Sequence, residues 1–126
     1  MRFGPLVLAL AATLALAGPA AAESAPLKPF AVLYKPGPSW KAGAPMSQQG
    51  LGPHARYIGE LQREGRIYAA GPLGAEKGLA IVGATSLDEA KAILARDPAI
   101  TSGIFTAELE PFGPRFGGKV PIPLAD

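Results

Sequence analysis

The chain contains a single histidine, His54, and no cysteine. His54 precedes Ile58 by four residues and Leu61 by seven, so a helix here would carry all three on one apolar stripe and turn the imidazole inward. A second acid–base group shares that property. Leu87, Ala90 and Leu94 recur at helical spacing, and Asp97 continues the series ten residues after Leu87. If both helices cover one face of a sheet, an imidazole and a carboxylate from distant parts of the chain project to the same inner side. Such a pair makes a positioned general base: the carboxylate holds one ring tautomer, and the other ring nitrogen moves a proton. The C-terminal end of a helix also disfavours a carboxylate by about 0.3–1 kcal/mol, which a histidine partner would offset. The residues leave a plainer reading open, in which His54 is a satisfied helix residue and Asp97 only opens an Asp-Pro turn with Pro98.

Other side chains are weaker candidates. Trp40, in a Pro/Gly-rich loop, could wall a pocket or anchor that loop. Gln49 could hydrogen-bond a ligand at a pocket mouth or be a solvated residue ahead of the helix. Gly71-Pro72 could bring backbone close to a ligand or simply end a strand. Tyr57 and Tyr68 carry phenols whose default is core packing, and Arg115 could meet an anion if the tail folds over the site. A dedicated zinc or copper site is not expected, since those take several His or Cys ligands. Twelve Lys and Arg against ten Asp and Glu, dispersed along the chain, give a formal charge of +2 and no phosphate-tracking stripe, so nucleic acid is not an expected partner. Gly113 to Gly118 lacks P-loop spacing.

The elements that must position these residues follow from periodicity and punctuation. The chain's 126 residues fit one domain. Residues 1–22 have a leader pattern: Arg2, an apolar run from Leu6 to Ala17, a break at Gly18-Pro19, then Ala20-Ala21-Ala22. Cleavage before Glu23 would leave a nearly neutral domain over 23–126, periplasmic or secreted and without a membrane span. Within it, Phe30–Tyr34 reads as a strand, Pro53–Glu64 as a helix stopped by Gly65, and Arg66–Ala70 as a strand broken by Gly71-Pro72. Leu79–Val82 reads as a third strand. Ser86-Leu-Asp-Glu89 is a capping box that starts a helix from Leu87 to about Arg96, closed by Pro98. Gly103–Leu109 supplies the fourth strand, and a Pro/Gly-rich tail runs from about Pro111. The order β-α-β-β-α-β predicts an α+β, ferredoxin-like sandwich. Strands one and three are apolar at nearly every position, so their second face also needs a cover, and a second copy of the sheet would supply it. A homodimer is expected.

In this order and spacing the residues resemble the YciI-like (YCII-related) family. The resemblance spans about Phe30 to Phe112. It rests on Pro36-Gly-Pro-Ser-Trp40, Gln49 ahead of His54-Ala-Arg-Tyr57, Gly65, Gly71-Pro-Leu73, Ser86-Leu-Asp-Glu-Ala90, Asp97-Pro98, Gly103-Ile-Phe105 and Glu108-Leu-Glu110. It implies a dimeric α/β barrel with a His–Asp pair in a pocket, which falls on His54 and Asp97. It further implies a cofactor-independent proton transfer of isomerase or lyase type on a small organic molecule, by analogy with a related aromatic dehydrochlorinase and with muconolactone isomerases of similar fold. The alternative is a non-catalytic small-molecule-binding or structural dimer.

Overall fold

The computed structural model describes residues 2, 4, 25–120 and 122–126. The expected leader lies outside the described residues, apart from positions 2 and 4. Four strands, β1 (Lys28–Pro36), β2 (Ile67–Leu73), β3 (Lys77–Ala84) and β4 (Phe105–Pro111), form one antiparallel sheet in the order β2-β3-β1-β4. Helices α1 (Gly52–Arg63), α2 (Leu87–Ala95) and α3 (Pro98–Thr101) complete the chain. The fold is the ferredoxin-like α+β sandwich that the element order predicts. No helix among the described residues is long and apolar enough to cross a membrane.

Side-chain alternation decides which face receives the helices. Phe30, Val32 and Tyr34 of β1 are buried, and their partners Val82, Ala80 and Gly78 of β3 share their face. Leu61 of α1, Ala90 and Ile93 of α2, and Ala99 of α3 close the core over them. Each large side chain so buried contributes roughly 1.5–3 kcal/mol. The opposite face carries Ala31, Leu33 and Ile81, all half-buried, with Leu27 and Tyr68 beside Gly83. The Lys35–Glu108 ion pair, 2.7 Å across, lies at its β4 side.

Local signals explain the helix limits. Pro53 sits in the first turn of α1, where its missing N–H costs nothing. Gly65, with φ +75°, ends it in a Schellman turn: Gly65 N–H donates to Gln62 O and Arg66 N–H to Leu61 O. Ser86 Oγ accepts from Glu89 N–H at the start of α2.

Three expectations need correction. Gly71-Pro72 does not break β2, which continues to Leu73. Because β2 is the sheet's outer strand, Pro72 can pair with Gly78 without leaving a ladder partner short of an N–H. Pro98 does not merely close a helix; it opens α3 with Asp97 as its N-cap, so the carboxylate occupies a favourable N-terminal position rather than an unfavourable C-terminal one. The fourth strand begins at Phe105 rather than Gly103, whose φ of +75° belongs to the preceding turn.

Candidate functional site

His54 lies in the first turn of α1, and the stripe it shares with Ile58 and Leu61 aims it at the sheet as its spacing requires. Asp97 reaches the same point from the α2–α3 junction. Its backbone is extended, and its Oδ1 accepts from Ala99 N–H at 2.9 Å, which ties the carboxylate to the start of α3. His54 Nδ1 lies 2.8 Å from Oδ1 and 2.9 Å from Oδ2, facing both oxygens. The sequence distance between them is 43 residues. Asp97 is fully buried, whereas the imidazole keeps 18% of its surface exposed. The ring therefore stands between a sequestered carboxylate and the space beyond.

Two aromatic side chains that pack on each other brace the ring. Tyr34, at the C-terminal end of β1, meets the imidazole edge to face at 5.2 Å, and Phe105 of β4 does so at 6.1 Å. Trp40 stacks on Phe105 at 5.5 Å, behind this wall. The Tyr34 hydroxyl donates to Asp97 Oδ2 at 2.8 Å. Burial, reinforced by the adjacent carboxylate, raises the phenol far above its ordinary range.

A cavity of about 360 Å³ opens in front of the imidazole. Leu51, Ile58, Met46 and Phe105 line it with apolar surface, and the short side chains of Ala70, Gly71 and Pro72 leave the room on the β2 side. His54 and Tyr34 are part of its wall; Asp97 is not. The volume falls at the small end of ligand pockets. Mostly apolar walls, with His54 on the inner side and the exposed Ser47 and Lys77 also in the lining, suit a small organic molecule oriented by a few polar contacts. Among the described residues, no group of three or more His, Cys, Asp or Glu side chains is placed to hold a metal ion.

The remaining candidates are distributed unevenly. Gly71 and Pro72 reach the cavity. Gln49 does not: it is buried, its Oε1 accepts from Lys41 N–H, and its Nε2 donates to the Lys41 and Ala44 carbonyls. Both ends of the amide are consumed in clasping the loop after β1, so neither faces a ligand. Trp40 also stays outside the cavity wall and acts as the loop's anchor on Phe105. The loop is pinned at its start by Gly37, where any side chain would collide with the Gly103 carbonyl oxygen. Tyr57 donates from α1 to Ile93 O of α2 at 2.7 Å. Tyr68 is 60% exposed on the sheet's open face rather than packed in the core, and Arg115 is exposed in the tail away from the cavity wall.

Sequence reasoning missed Tyr34, Phe105, Met46 and Leu51. For Tyr34 the signal was present, because strand alternation puts it on the same face as Phe30 and Val32. Met46 and Leu51 come from a loop whose path no periodicity encodes.

The chain belongs to the YCII-related domain family, whose sequence model matches residues 29–112. No curated protein matches it.

Proposed function

We propose that this YCII-related domain is a cofactor-independent enzyme that moves a proton on a small organic molecule, in an isomerisation or an elimination, with His54 as the base and Asp97 as its orienting partner. The observation that carries this reading is the position of His54 Nδ1 against both oxygens of a buried carboxylate while the same ring lines a 360 Å³ cavity. An ionised carboxylate only accepts hydrogen bonds, so Nδ1 carries the ring proton and Nε2 keeps its lone pair. Abstracting a proton forms an imidazolium, which the neighbouring carboxylate stabilises before the proton is returned to another atom or passed to a leaving group.

The same reading takes the protein as a homodimer in which two sheets meet through the open face of Ala31, Leu33, Ile81, Leu27 and Tyr68. The apolar character of that face supports it. A leader over residues 1–22 would make the reaction periplasmic or extracellular.

The test starts from small carbonyl and phenolic compounds that raise the melting temperature. Each compound is then incubated in D2O with wild type and with His54→Ala, and carbon-bound deuterium is followed by NMR. Exchange or turnover in wild type that falls roughly 10²–10⁴-fold in His54→Ala supports the enzyme. Compounds that bind both forms alike, with neither exchange nor turnover in wild type, would establish a binding protein instead.

A further inference from the structure

Tyr34 has a hydroxyl with one partner and no alternative. It is buried, its Oη lies 2.8 Å from Asp97 Oδ2, and no other hydrogen bond is made by that group among the described residues. A hydroxyl withdrawn from water must donate to the acceptor it has, because an unsatisfied donor there is costly. Oδ2 is therefore an acceptor. Oδ1 is fixed in the same sense by Ala99 N–H, which can only donate. Both oxygens therefore serve the fold as acceptors, and each keeps a second lone pair that can accept another donor. His54 Nδ1, facing both, must then be the donor.

Three elements supply these contacts: β1 through Tyr34, α3 through the Ala99 amide, and α1 through His54. One donor on each oxygen also prevents the carboxylate from rotating about its own bond, so the imidazole meets a fixed plane. We infer that Tyr34 is a positioning residue, which acts through Asp97 to set the tautomer of His54 so that the resting site presents a free Nε2 lone pair to the cavity. This rests on the proposed role of His54 as base. It adds a cause for that role in a residue that need not touch the reacting atoms. Tyr57 offers an internal comparison, since its hydroxyl is also spent within the fold, on Ile93 O, and makes no hydrogen bond to His54 or Asp97 among the described residues.

Because His54 is the sole histidine, its ring can be read directly in protein labelled with ¹⁵N-histidine. Wild type is expected to show one tautomer, protonated at Nδ1, with a slowly exchanging proton. Tyr34→Phe keeps the aromatic ring and deletes the hydroxyl. It is expected to mix the two tautomers and to speed Nδ1 proton exchange by roughly tenfold to a hundredfold, the scale of one lost hydrogen bond to a charged group. Tyr57→Phe should leave both readouts at their wild-type values. The inference is overturned if Tyr34→Phe keeps the wild-type tautomer and exchange rate, or if Tyr57→Phe alters them equally. A wild-type ring protonated at Nε2 would instead defeat the His54–Asp97 reading itself, so the two failures are told apart. Should Tyr34→Phe not fold, wild type still decides the matter: a protected Tyr34 hydroxyl proton must cross-relax with the His54 Nδ1 proton, and its absence overturns the inference.

Discussion

Replacing Asp97 by alanine tests the hydrogen-bonded centre most severely, and the structure sets the size of the effect. Asp97 caps α3 through Ala99 N–H, and loss of such a cap costs about 0.5–2 kcal/mol. The Tyr34 hydroxyl then loses its acceptor, and a buried unsatisfied donor costs a further ~1–3 kcal/mol. His54 keeps part of its ring exposed to water, so it adds little. Asp97→Ala should therefore lose about 1.5–5 kcal/mol, a large share of a typical 5–15 kcal/mol. Tyr34→Phe alone removes a hydrogen bond to a charged group, worth about 1.5–3 kcal/mol. In the double variant the orphaned hydroxyl no longer exists. The double variant's loss should fall short of the sum of the single losses by about 1–3 kcal/mol. The assay is urea unfolding at fixed protein concentration, followed by far-ultraviolet circular dichroism and by fluorescence of Trp40, the chain's one tryptophan. Additivity within about 0.5 kcal/mol would refute the reasoning, because independent sites behave that way.

Four further outcomes follow from particular contacts. Asp97→Asn retains a capping oxygen for Ala99 N–H, so it should be more stable than Asp97→Ala; its amide N–H groups, however, should drive the His54 proton to Nε2, read by ¹⁵N shifts. Gln49→Ala removes three hydrogen bonds from the loop and should raise amide exchange across residues 41–49, measured by mass spectrometry, with a loss of about 1–3 kcal/mol in urea. Glu89 is held below its ordinary value of 4.5, chiefly by the Arg66 guanidinium and then by Thr85. A depressed folded value gives stability that is present above 4.5 and fades as pH falls through the lower value. The stability gap between wild type and Glu89→Gln should therefore shrink below about pH 4.5, and a gap that widens there would contradict the contact. Tyr34 has the opposite sign: its folded value is raised, so its contribution is complete below its ordinary 10.0 and declines above it. Tyr34→Phe should accordingly flatten the alkaline limb of the wild-type stability profile.

The sheet and its two main helices were legible because their signals are local and redundant. The apolar run of strand formers in Phe30-Ala-Val-Leu-Tyr34, the stop at Gly65 and the capping box at Ser86 each report on neighbours a few residues apart. Gly71-Pro72 misled because proline is a breaker in a central strand and tolerated in an outer one, and strand order is not a local property. Gln49 misled for a related reason. A glutamine ahead of a helix has the composition of a solvated residue, and only the folded path from Lys41 to Ala44 gives its amide three backbone partners.

Asp97 is the instructive case, because the right pairing was inferred from a wrong local setting. As the last position of an apolar stripe it points inward, and that direction is enough to bring it to His54. As a residue at a helix end it looked electrostatically strained and in need of a partner. In the structure Asp97-Pro98 starts a new turn of helix, so the carboxylate gains from the α3 amide instead of opposing a dipole. Capping, not relief of strain, holds the carboxylate in place: Ala99 N–H and the Tyr34 hydroxyl fix it where it meets the imidazole. Under the proposed function, a group fixed by the needs of the fold loses no further freedom when it orients a base, so one carboxylate can start a helix and hold a ring.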